Sequence, residues 1–155
     1  MDEYDDFPED TDIEYKPEEF ATLELCIENV KKNWEKFPYV PKKFKTPELC
    51  KLAVEKFVHN FGYVPEELKT PELCLLAVKS FSTNLEQVPE KLKTPEICHI
   101  AVSANGHVLR DVPESLKTFE LCLTAVQNDK RKIAIKYVPD ELKAQVLEAS
   151  KLQKN

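Results

Sequence analysis

The stretch TPELCLLAV, residues 70–78, decides the fold because it comes back. It stands at 22–30 as TLELCIENV, at 46–54 as TPELCKLAV, at 94–102 as TPEICHIAV and at 118–126 as TFELCLTAV. The cysteines in these phrases, Cys26, Cys50, Cys74, Cys98 and Cys122, fall 24 residues apart each time, and a fixed period of this size marks a repeat architecture. A second phrase follows each one: YVPKKFK ending at Lys45, YVPEELK at Lys69, QVPEKLK at Lys93, DVPESLK at Lys117 and, after a two-residue insertion, YVPDELK at Lys143. Five full repeats therefore occupy 22–45, 46–69, 70–93, 94–117 and 118–143. A half repeat at 15–21 precedes them, since YKPEEF matches YVPEEL. Residues 1–14 read as an acidic tail, and 144–155 as a capping helix that keeps Leu147 in phase.

Each repeat carries its own helix punctuation. Thr46, Thr70 and Thr94 are good N-caps, the proline after each suits the first helical position, and Glu48, Glu72 and Glu96 sit where the helix dipole favours anions. Within such a helix Leu73, Cys74, Ala77 and Val78 share one inward stripe, and Phe57 and Phe81 continue it into the core. The VPxxLK phrase restarts at a proline and predicts one short α or 3-10 turn. Neither piece reaches the ~12 to 15 residues at which isolated helices become marginal, so a repeat can be buried only against its neighbours. The expectation is an all-α, right- or left-handed α-solenoid of five 24-residue repeats, each with one longer helix and one short turn.

The ELCxxAV and VPxxLK phrases together resemble a bacterial and viral short helical repeat catalogued as a domain of unknown function. More loosely, they resemble the leucine-rich repeat variant, whose 24-residue units alternate an α-helix with a short 3-10 helix. The resemblance covers roughly residues 15–147 and implies an architecture, with no catalytic or binding residues to carry over. The first repeat departs from the pattern at Leu23 and Asn29, the last at Phe119 and at the insertion near Lys130.

Composition excludes several classes. The chain has 155 residues, with only two glycines, Gly62 and Gly106, against eleven prolines, which leaves no material for a phosphate-binding loop, dinucleotide fingerprint or nucleophile elbow. No apolar run approaches the ~20 residues of a membrane span, and the start, MDEYDDFPED, is acidic where a secretory signal is basic and then apolar. The reading is a cytoplasmic protein with no membrane association. The odd count of five cysteines argues for reduced thiols. Equivalent cysteines on helices ~8 to 10 Å apart cannot share a disulfide or a zinc ion, so they read as small core hydrophobes. The three histidines do not converge and read as solvent- or partner-facing. The lysines that close the repeats lie near the glutamates of the next helix start and read as surface ion pairs of little energetic weight.

Residues 1–20 hold ten Asp or Glu and one Lys, a net of −9, which leaves +3 for the rest of a chain whose total is −6. That is a weak case for nucleic acid, which calls for a Lys/Arg stripe. What stacking leaves free falls in two sets. One is the outward helix column, with Ile27, Lys51, Leu75, His99 and Leu123 and, one turn later, Lys31, Glu55, Lys79, Ser103 and Gln127. The other lies where KNWEKFPY, KFVHNFGY, SFSTNLEQ and ANGHVLRD share little, and contains Trp34, His59, His107 and Arg110. The candidate partner-binding residues are thus Trp34, Lys51, Glu55, His59, Leu75, Lys79, His99, Ser103, His107, Arg110 and Leu123, with Trp34 the best single anchor. The expected activity is that of a non-catalytic module that binds another protein or peptide as scaffold or adaptor, monomeric and without cofactor or metal. The alternatives are a small inhibitor or immunity-type protein and, from a different class, an enzyme or metal-binding protein.

Overall fold

The computed structural model describes residues 16–152; the acidic tail, Tyr15 of the half repeat and the last three residues lie outside the described part. Five α-helices recur at the repeat period: α1 (Leu23–Lys32), α2 (Pro47–Lys56), α3 (Pro71–Ser80), α4 (Pro95–Ala104) and α5 (Phe119–Gln127). A sixth, α6 (Asp140–Leu152), follows them. Among the described residues everything else regular is 3-10 helix, and no strand is present. The protein is an all-α tandem repeat.

The threonines start all five repeat helices. The Oγ1 atoms of Thr22, Thr46, Thr70, Thr94 and Thr118 accept from the backbone N–H groups of Leu25, Leu49, Leu73, Ile97 and Leu121 at 3.2–3.3 Å, each removing one orphan donor of a helix N-terminus. The first four helices end abruptly, on an extended residue: Asn33, Phe57, Phe81 and Asn105 have φ between −141° and −152°. The chain then makes a six-residue 3-10 helix, at Trp34–Tyr39, Val58–Tyr63, Ser82–Gln87 and Gly106–Asp111, before the three-residue turn of the VPxxLK phrase. Each of the first four repeats therefore holds three helical pieces where the sequence reading expected two.

The extra 3-10 helix corrects the expected core. Phe57 and Phe81, placed in the helical phase by the sequence, leave that phase because the helix stops one residue earlier; Phe57 is half-buried and Phe81 is 49% exposed. The large side chains at the core are instead Phe37, Phe61, Leu85 and Leu109 of the 3-10 helices, all 0% exposed and again 24 apart. They join the buried cysteines, Val30, Val54, Val78 and Val102 of the α-helices, and Val40, Val64, Val88 and Val112 of the VP phrases.

The chain divides after Leu73, within α3, into two compact units. In the first, the 3-10 helix Pro17–Phe20 packs on α1, and the one at Trp34–Tyr39 bridges α1, α2 and its successor Val58–Tyr63. Asn29, in place of the usual alanine, donates from Nδ2 to the carbonyls of Glu19 and Leu25, both at 3.0 Å, which ties the half repeat to α1. Asn60, only 1% exposed, does the same between full repeats, donating to Ala53 O at 3.2 Å and Trp34 O at 2.9 Å. Lys36 pairs with Glu19.

In the second unit, α4 packs on α5, and the 3-10 helix Gly106–Asp111 lies against α4, α5 and the later 3-10 helix Ala134–Tyr137. The contact with α5 needs a glycine. A Cβ on Gly106 would stand 1.8 Å from the carbonyl oxygen of Ala125, so no side chain fits whatever its conformation. The insertion in the fifth repeat forms a loop organised by Asp129, whose buried carboxylate accepts from the N–H groups of Arg131, Ile133 and Ala134. Burial pushes the Asp129 pKa up, but these bonds, with His107 nearby, pull it further down, so it lies below the usual value. Lys132 in the loop takes the left-handed region, φ 56°.

The chain's closing helix starts at Asp140, four residues before the boundary expected from the repeat phase. Where all five repeats have the capping threonine, this segment has Ala144. A threonine N-cap takes extended backbone and opens a new helix; without one, the turn of the VPDELK phrase runs straight on as helix. The face that meets α5 shifts as a result: Val146 is fully buried, and Leu147, expected in the core, is 41% exposed.

Candidate functional site

Of the outward helix column, Lys51 and His99 are exposed, whereas Ile27, Leu75 and Leu123 are half-buried. In the first unit Lys51 and Glu55 are exposed on α2, one turn apart, with their charges 4.0 Å from each other. In the second, Lys79 on α3 is exposed, Leu75 and Leu123 are half-buried, and on α4 exposed His99 and Ser103 meet through Nδ1 and Oγ at 3.4 Å. Among the described residues no carboxylate is shown bonded to His99, the third group that would orient an imidazole beside a hydroxyl in a nucleophilic site. Among the described residues no group of three His, Cys, Asp or Glu could hold a metal ion.

The second candidate set is dispersed by the 3-10 helices. Trp34 is half-buried, and its carbonyl is held by Asn60. His59 is exposed, its ring 5.0 Å from Phe57 in an edge-on contact. His107, at the same repeat position, is not the solvated side chain the sequence suggested. It packs edge-on to Tyr137 at 5.7 Å, and its Nδ1 is buried without a hydrogen-bond partner among the described residues. The reason is its neighbour Gly106, which brings this segment down onto α5. Arg110 spans Asp111 and Glu86, both at 3.3 Å, and so fixes one 3-10 helix to the previous one.

The cysteines are all unbridged and fully buried. Burial raises the thiols of Cys26, Cys50, Cys98 and Cys122 to about 11, far from the reactive thiolate.

Two features were not read from the sequence. The first is the role of the closing lysines. Lys45 Nζ donates to Tyr63 O at 3.0 Å and Lys93 Nζ to Asp111 O at 2.8 Å, each reaching the carbonyl eighteen residues on. Lys45 and Lys69 stand over the rings of Phe37 and Phe61 at 5.1 and 4.7 Å. Lys93 and Lys117 pair backward with Glu90 and Glu114 of their own turns, not forward with the next helix start, and their side chains are only 10% and 8% exposed. These lysines are packing elements. The second feature is a cleft of about 370 Å³ between α5, the Asp129 loop and α6, with Lys130, Lys132 and Lys151 on its walls.

Four overlapping segments, residues 22–69, 46–93, 70–117 and 94–143, match the family described as Domain of unknown function (DUF4116). The chain belongs to this family. Each DUF4116 match spans two successive repeats, so the family's unit is a repeat together with its neighbour, as expected where neither is stable alone. No curated protein and no solved structure matches the chain.

Proposed function

We propose that this DUF4116 chain is a non-catalytic module that binds another protein or peptide as a scaffold or adaptor. One observation carries the reading: within each unit the buried positions repeat the same chemistry, while the outward column changes with every step. Ile27 gives way to Lys51 in the first unit, and Leu75 to His99 and Leu123 in the second. Packing consumes the first kind of position and leaves the second available to a ligand. The buried, unbridged thiols support a reducing compartment such as the cytoplasm. Among the described residues no helix is long and apolar enough to cross a membrane.

The test is affinity capture from the source cell with the wild-type chain and with variants Lys51→Glu and His99→Glu. A partner held by the wild type and released by either variant supports the reading. Capture that ignores both variants removes this column from the proposal, and a single dominant basic partner indicates an inhibitor.

A further inference from the structure

The cleft between α5 and α6 has an apolar floor and a cationic rim. Val126 and Ile135 are half-buried in it, and Leu147 is exposed beside them. Lys130, Lys132 and Lys151 line the same space, all three exposed and none in an ion pair with another described residue. The one carboxylate on its wall, Asp129, is turned onto backbone N–H groups of its own loop and does not neutralise them. Three unmatched ammonium groups around apolar surface suit an acidic peptide that also carries an apolar anchor. The chain itself contains such a peptide. Residues 1–15, MDEYDDFPEDTDIEY, hold eight Asp or Glu and no Lys or Arg, with Tyr4, Phe7 and Ile13 among them.

We propose that this cleft receives the acidic amino-terminal segment, residues 1–15, of a second copy of the chain. Donation between copies makes the contact depend on concentration, whereas docking within one chain would not, and the experiment below separates the two. The cleft meets the outward helix column only at Gln127 and contains neither Lys51 nor His99, so failure of this proposal leaves the binding-module reading standing, and the reverse.

The experiment is sedimentation velocity of the full chain over a wide concentration range, at low and high salt. The wild type is expected to self-associate, and raising salt from about 0.05 to 0.5 M should weaken association roughly tenfold by screening. Lys130→Glu, Lys132→Glu and Lys151→Glu combined should weaken it at least as much, with an unchanged thermal melt because the three side chains are exposed. Reversing Asp5, Asp6, Glu9 and Asp10 to lysine should also abolish it, and mixing the two charge-reversed variants should restore it. The proposal is overturned by a chain that sediments as one copy at every concentration, by association indifferent to the triple lysine variant, or by association that survives reversal of the acidic segment.

Discussion

At Gly106 a single hydrogen atom decides the packing. Alanine there would force its Cβ into the Ala125 carbonyl, 1.8 Å away, and backbone on both sides would have to separate. We expect Gly106→Ala to cost about 3 kcal/mol or more, the upper end for overpacking, measured by urea unfolding; an unchanged midpoint would contradict the close approach. Asp129 acts through charge and geometry together. Its ionised carboxylate closes the fifth-repeat loop, and because its folded pKa is depressed, the stability it contributes is present above the unfolded value near 3.9 and lost as pH falls through the lower folded value. Asp129→Ala should cost about 2 kcal/mol at neutral pH and flatten the acid limb of the stability curve below about pH 4. Neither residue could have been singled out from the sequence, since nothing in a glycine or an aspartate announces what lies opposite.

The α-helices were legible in the sequence because their signals are local: a threonine cap, a proline at the first position and a four-residue apolar spacing lie within one phrase. The six-residue 3-10 helices were not, because KNWEKFPY and SFSTNLEQ have few side chains in common; what recurs is a single large apolar residue at Phe37, Phe61, Leu85 and Leu109, visible only once the break at Phe57 or Phe81 is known. Phe61→Ala should therefore cost about 3 to 5 kcal/mol as a core cavity, and Phe81→Ala less than about 1 kcal/mol. Comparable losses in thermal denaturation would return Phe81 to the core. The same logic governs α6, which is continuous because Ala144 stands in place of the capping threonine. Gln145→Pro should lower the helical circular dichroism signal and stability together, by about 3 kcal/mol; retention of both would mean that residue 145 does not lie inside a continuous helix.

For the whole molecule, the cysteines report on how tightly the repeats stay closed. All five are fully buried, so thiol titration of the native chain at pH 8 should run on the order of 100-fold slower or more than in guanidinium chloride, limited by opening of the fold, and then yield five thiols. Immediate reaction of any of them in native buffer would show a repeat that does not pack. The four thiols raised to about 11 also set the alkaline limit: the stability they hold is intact below their unfolded value near 8.5 and declines as pH rises from there towards 11. Repeat number and order were fully legible in the cysteine spacing. The lysine contacts were hidden, because the partner of Lys45 or Lys93 is a main-chain oxygen that every residue possesses. That anonymity has an outcome for how such a chain can drift. Tyr63 and Asp111 receive equivalent bonds although their side chains have nothing in common, so mutation at the accepting site is cheap, whereas at the donating site only a long cation will serve.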